Sequence, residues 1–161
     1  MTLVEPATIA DRQGTIRTIA LATDLSPASD LATIRAIELA GRLGARLLVI
    51  NVLERRRLSG PGSHDRDDQA RAEREQALLP VMRRARDAGA QAEYIIWPGD
   101  PGSGVVAAVE AEQVDLLVVG THGRDRAGRM LLGSVSDHLV RNAGCPVLVV
   151  PARQPDQQRL D

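Results

Sequence analysis

The run "VDLLVVGTHGRDRAGRMLLGSVSD", residues 114–137, changes character twice, and those changes decide the fold. Val114 to Val119 is a short apolar segment of strand length, as expected of a strand buried on both faces of a parallel sheet. Glycines follow at 120, 123, 128 and 133, and helical spacing resumes from Ser134 to Ala143 before Gly144 ends it. A buried strand that passes through a glycine-rich loop into a helix is half of a βαβ unit.

The same unit recurs on either side. "TIRTIALAT" reads as a first strand centred on Ile19 to Ala22 and stopping at Asp24. Ser26 and Pro27 suit the cap and first position of a helix that carries Ala32, Ala36, Leu39, Ala40 and Leu43 on one side and closes at Gly44. "ARLLVINVLE" is a second strand, and the polar "RRRLSGPGSHDRDD" after it predicts a mobile loop. From about Gln69 to Ala88 a helix presents Leu78, Met82 and Ala85 on one face, with Pro80 as a kink or fresh start and Gly89 as its cap. "AEYIIW" is a third strand, Asp100 caps a helix from Pro101 to about Glu112, and "PVLVV", residues 146–150, is the fifth strand. The polar tail "ARQPDQQRLD" reads as a frayed end.

Five strands separated by four helical segments predict an α/β domain, a five-stranded parallel sheet with helices on both faces. If the strand order is 3-2-1-4-5, it reverses between the first and fourth strands, and ligands of such sheets bind there, beyond the carboxyl ends. Asp24, Val52 and Gly120 all lie at carboxyl ends.

Composition removes several function classes. At 161 residues the chain has the length of a single domain. A net charge of −1 with mixed signs offers no footprint for nucleic acid and no polybasic membrane patch. The apolar runs are strand-sized and "MTLVEPATIADRQG" lacks the charged-then-apolar pattern of a signal segment, so the expectation is a cytoplasmic protein without a membrane span. The single Cys145 reads as a small core residue. All 20 basic residues are arginine, which excludes the lysine of a Walker A loop, of a protein kinase and of a Schiff base.

The loop from Gly120 to Gly133 suits an anion. A helix N-terminus has unpaired N–H groups and a partial positive charge, and glycines before it let those groups converge on a phosphate. Gly133, Ser134, Val135 and Ser136 meet that description, and Arg124, Arg126 and Arg129 supply positive charge. On spacing alone the opposing reading is as good: Ser134 is an N-cap, Asp137 completes a capping box, and the arginines are solvated.

The spacing Gly120, two residues, Gly123, nine residues, Gly133-Ser134 resembles the nucleotide-binding signature of the universal stress protein family. The resemblance extends through "IALATDLSP", "LLVINVLE", "GDP", "DLLVVGTHG" and "CPVLVVP", covering about residues 15 to 151 and leaving polar extensions at both ends. It implies the order 3-2-1-4-5 in a Rossmann-like fold of the adenine nucleotide alpha hydrolase-like kind. It also implies ATP bound without a Walker A loop, Mg²⁺ held through the phosphates, and a homodimer joined at Pro146–Val150. By the same resemblance Asp24, next to Ala22 and Thr23, lies at the adenosine, Val52 faces adenine through its backbone, and Val119 and Gly120 close the end of the fourth strand. Gly123, Gly133, Ser134, Val135 and Ser136 then contact ribose and phosphates, with His122, Arg124 and Arg129 in the same loop.

Other functions of this architecture want different residues. An ATP pyrophosphatase needs a serine- and glycine-rich loop after the first strand, where this chain has "TDLSPASD". A dehydrogenase needs its glycine fingerprint there too, and "PGSGV" does not supply the G-x-S-x-G of a serine hydrolase. His122 and His138 lack metal-ligand spacing. For hydrolysis the site offers only Asp125, Asp137 and the more distant Asp24, which implies slow ATP turnover or none. The expectation is an ATP-binding stress-response regulator with protein partners the sequence does not name. The competing reading is a nucleotide-free interaction module of the same fold.

Overall fold

In the computed structural model the described residues are 14–54, 63–121 and 132–152. The strands are β1 (Thr18–Ala22), β2 (Arg46–Leu53), β3 (Gln91–Pro98), β4 (Leu116–Gly120) and β5 (Val147–Val150). The helices are α1 (Asp30–Leu43), α2 (Ser63–Asp87), α3 (Pro101–Ala111) and α4 (Ser134–Asn142). The sheet runs β3-β2-β1-β4-β5 with every pair parallel, so the order reverses between β1 and β4, as the family resemblance implies.

Strand alternation sorts the side chains into two cores. Ile19 and Leu21 of β1 and Leu47 and Val49 of β2 point to the face covered by α1 and α2, with Ala36, Leu78 and Met82. Ala20, Ala22, Leu48 and Ile50 point to the opposite face with Val105, Val109 and Leu139 of α3 and α4. Residues buried on both sides explain why the strands read as continuous apolar runs. Helices α1 and α2 each stop where a glycine takes a positive φ, Gly44 at 62° and Gly89 at 78°, which lets Ala45 and Ala90 donate back to Ala40 and Ala85.

Three helix boundaries and the burial of one residue differ from the sequence reading. Pro27–Ser29 form a 3-10 turn and α1 begins only at Asp30, because Thr23 and Asp24 accept hydrogen bonds from the amides of Leu25 and Ser26 and hold Leu25 at φ 62°. Leu43 is exposed, since it sits in the last turn beyond the reach of the core. Helix α2 starts at Ser63 rather than Gln69, and runs through Pro80. The charged stretch is helical over 63–68, and further along the same helix Gln69–Glu73 and Arg71–Glu75 pair one turn apart; residues 55–62 lie outside the described residues. Finally, α4 ends at Asn142 with Ala143 as its cap, ahead of Gly144.

Candidate functional site

The carboxyl edge of the sheet gathers what the sequence spread over a hundred residues. Ala22 pairs in register with both Ile50 and Val119, so β1 sits between the ends of β2 and β4. Ala22, Val52 and Val119 pack on the α3 and α4 side and make an aliphatic floor there. Thr23 turns to the opposite side: its buried hydroxyl meets Ser29 Oγ at 2.9 Å and accepts from the Leu25 amide.

Asp24 is braced. Its Oδ1 accepts from the Ser26 amide at 2.9 Å and the Ser26 hydroxyl at 2.6 Å, while Arg74 of α2 donates to the Asp24 carbonyl at 3.4 Å. Oδ2 stands outside these bonds.

The start of α4 is stitched to the end of β4. The Gly133 amide donates to Thr121 O at 2.7 Å, and the buried Ser136 hydroxyl donates to Gly120 O at 2.7 Å. Gly133, not Ser134, is the N-cap, and no side chain of the described residues caps this helix. The Asp137 amide closes on Gly133 O, so by helix geometry the amides of Ser134, Val135 and Ser136 lack intrahelical acceptors. The Asp137 carboxylate does not complete a capping box; it pairs with Arg141 one turn on at 2.9 Å. The contrast with α3 is direct, since there Asp100 accepts from the amide and hydroxyl of Ser103 and fills the helix start. These bonds, together with the nearby His138, hold the Asp100 carboxyl below the ordinary aspartate range.

The structure therefore brings together Ala22, Asp24, Val52, Val119, Gly120, Gly133, Ser134, Val135 and Ser136, while Thr23 between them spends its amide on Ile50 O and its carbonyl on Asn51 Nδ2. Two assignments change. The Ser136 hydroxyl proton is committed to Gly120, which leaves its backbone amide as the donor for a ligand. A Cβ at Gly120 would touch Ala28 O at 3.5 Å, an ordinary contact with the 3-10 turn, so its bare Cα does not open toward a ligand. His122, Gly123, Arg124 and Arg129 lie outside the described residues. His138 packs its ring against Gly102 of α3, and among the described residues no group of histidines, cysteines and acidic residues could hold a metal.

One residue escaped the sequence reading. Asn51 is buried within β2, donates Nδ2 to Thr23 O at 2.9 Å, and leaves Oδ1 without a partner among the described residues. The signal was present as a lone amide inside "LLVINVL". It fixes the end of β1 against β2, where the site begins.

The chain is similar to known proteins over most of its length. The sequence model described as the universal stress protein family matches residues 15–151. Universal stress protein MJ0531 of Methanocaldococcus jannaschii is 32% identical over 146 residues, covering 88% of this chain and 86% of its own. A universal stress protein solved in complex with cAMP is 27% identical with a TM-score of 0.69, covering 87% of this chain and 100% of that one. A member from Arabidopsis thaliana solved with AMP bound shares the fold at a TM-score of 0.63 and 21% identity, covering 90% and 97%.

Proposed function

Because the chain belongs to the universal stress protein family, we propose that it binds an adenine nucleotide, ATP foremost, at the carboxyl edge of β1, β2 and β4, and that occupancy of this site regulates a stress response. The observation that carries the reading is the start of α4, a helix N-terminus tied to the strand order's reversal point and left without a side-chain cap among the described residues. The relative solved with cAMP supports an adenine ligand.

In this reading the aliphatic floor of Ala22, Val52 and Val119 takes the adenosine, with Asp24 beside it. The amides of Ser134, Val135 and Ser136 and the Ser134 hydroxyl take the phosphates. Mg²⁺ is held by phosphate oxygens, since hard cations accept such ligands and no carboxylate cluster stands among the described residues. His122, Gly123, Arg124 and Arg129 enter by sequence alone. Hydrolysis is slow or absent: Asp137 is paired with Arg141 and Asp24 is held through Oδ1 by Ser26, while Asp125, the third carboxylate near the loop, lies outside the described residues. The protein works in the cytoplasm as a homodimer with protein partners.

The test is direct. Heat-denatured protein should release an adenine nucleotide on chromatography, and calorimetry of emptied protein should show heat with ATP. If neither occurs, the nucleotide-free interaction module takes its place.

A further inference from the structure

The chain holds one tryptophan, one tyrosine and no phenylalanine, so the position of its only indole is informative. The fully buried side chains are aliphatic apart from Asn51, so Trp97 is not needed to fill the core. It stands instead near the carboxyl end of β3, half-buried, in register with Val52 of β2. Both side chains lie on the α3 and α4 side of the sheet. Tyr94 packs on the other side.

Helix α3 holds the indole in place. A Cβ at Gly104 would stand 3.3 Å from Trp97 Cδ1 and 3.3 and 3.4 Å from the two methyls of Val52. The α3 backbone has thus closed onto the indole edge and Val52 together, as the missing side chain allows. An aromatic plate is fixed next to the aliphatic floor, on the side away from α4.

We propose that Trp97 is the side wall of the base site and the residue that makes this chain prefer adenine nucleotides over base-free polyphosphates. The inference rests on the nucleotide reading above. Backbone amides at a helix start recognise phosphate but cannot see a base, and an aliphatic floor gives a purine only area. A rigid indole adds stacking, which is sequence-tolerant but demands a π-face. Trp97 then adds an aromatic contact for the base, which tripolyphosphate lacks, to the area of the floor and the neighbouring Asp24.

Because the tryptophan is single, the wild-type protein reports on itself. Saturating ATP or AMP should change Trp97 emission and shield it from acrylamide, while tripolyphosphate at the same concentration should leave it unchanged. By calorimetry, Trp97→Leu should weaken ATP about tenfold, with tripolyphosphate unaffected, and Trp97→Phe should retain most of the affinity. Binding heat with unmoved Trp97 emission, or wild-type ATP affinity in Trp97→Leu, overturns the proposal and leaves the nucleotide reading standing. Absence of heat with ATP and AMP brings down both. If Trp97→Leu does not fold, the emission and acrylamide measurements on the wild type decide alone.

Discussion

The Ser136 hydroxyl donates to the Gly120 carbonyl across 2.7 Å, joining the first turn of α4 to the last residue of β4. The bond is buried and aims a helix start at the strand ends. Ser136→Ala leaves that carbonyl short of a donor and should cost about 1–2 kcal/mol, read as a lower urea midpoint, with weaker ATP binding because α4 loses its anchor. Ser134→Ala makes the contrast. Ser134 is exposed and is not the cap, so stability should hold within about 0.5 kcal/mol while ATP affinity falls. Equal losses of stability in the two variants would contradict the division of labour.

Asn51 offers a test with a pH signature. Its amide donates to Thr23 O inside the core, and its Oδ1 is unpartnered among the described residues. Asn51→Ala should cost about 2 kcal/mol, from the space left and the abandoned carbonyl. Asn51→Asp sets a carboxylate against a carbonyl in a site 1% exposed, and should cost about 3 kcal/mol at neutral pH. Burial raises that carboxyl above its unfolded value, so the folded state binds the extra proton and the variant's deficit should shrink as pH falls from about 8 to about 5. A deficit that does not change with pH would show that the side chain has turned to solvent.

How far the sequence spoke depended on the scale of the signal. The parallel α/β sheet was legible because five short apolar runs alternate with helical spacing, while the strand order came only with the family resemblance, since alternation does not say which strands are neighbours. The cap at Asp100 was legible because an acidic residue before Pro101 satisfies amides of its own turn. The cap of α4 was not. Ser134 and Gly133 are both good caps by type, and the choice fell to the bonds of Gly133 and Ser136 to β4, which are tertiary. The 3-10 turn at Pro27–Ser29 was hidden for the same reason: Ser29 is drawn inward by Thr23, six residues earlier. Asn51 went unread because periodicity counts apolar positions and gives no weight to one amide among them.

Asp100 gives the acid limb of stability. Its carboxyl is held below the ordinary aspartate range, first by the Ser103 amide and then by the Ser103 hydroxyl. A depressed value means that the contribution is complete above the unfolded value of about 3.9 and is lost as pH falls through the folded one. Asp100→Ala should therefore show a lower urea midpoint than wild type at pH 7, with the gap closing below about pH 4. Asp100→Asn keeps a capping oxygen without the charge, so its midpoint should lose only the share of the wild type's pH dependence that Asp100 carries in that window. A gap for Asp100→Ala that is as wide in acid as at pH 7 would assign the effect to packing.

The proposed homodimer would be joined at β5. Among the described residues the strand pairs only with β4, and its outer amides and carbonyls form a sheet edge there. That edge reads Val147–Val150, with Leu148 37% exposed and no charged residue within it, and such edges are ordinarily paired or covered. Antiparallel pairing about a two-fold axis would extend the sheet across two copies and bring the two Leu148 side chains near the axis. Pro146 and Pro151 flank the strand and leave its middle amides free to donate. Sedimentation at micromolar concentration should therefore give a dimer. Leu148→Arg should give a folded monomer, because an exposed position tolerates the charge in one copy while two facing arginines oppose association. A wild type that sediments as a monomer, or an arginine variant that remains dimeric, would place the contact elsewhere on the molecule.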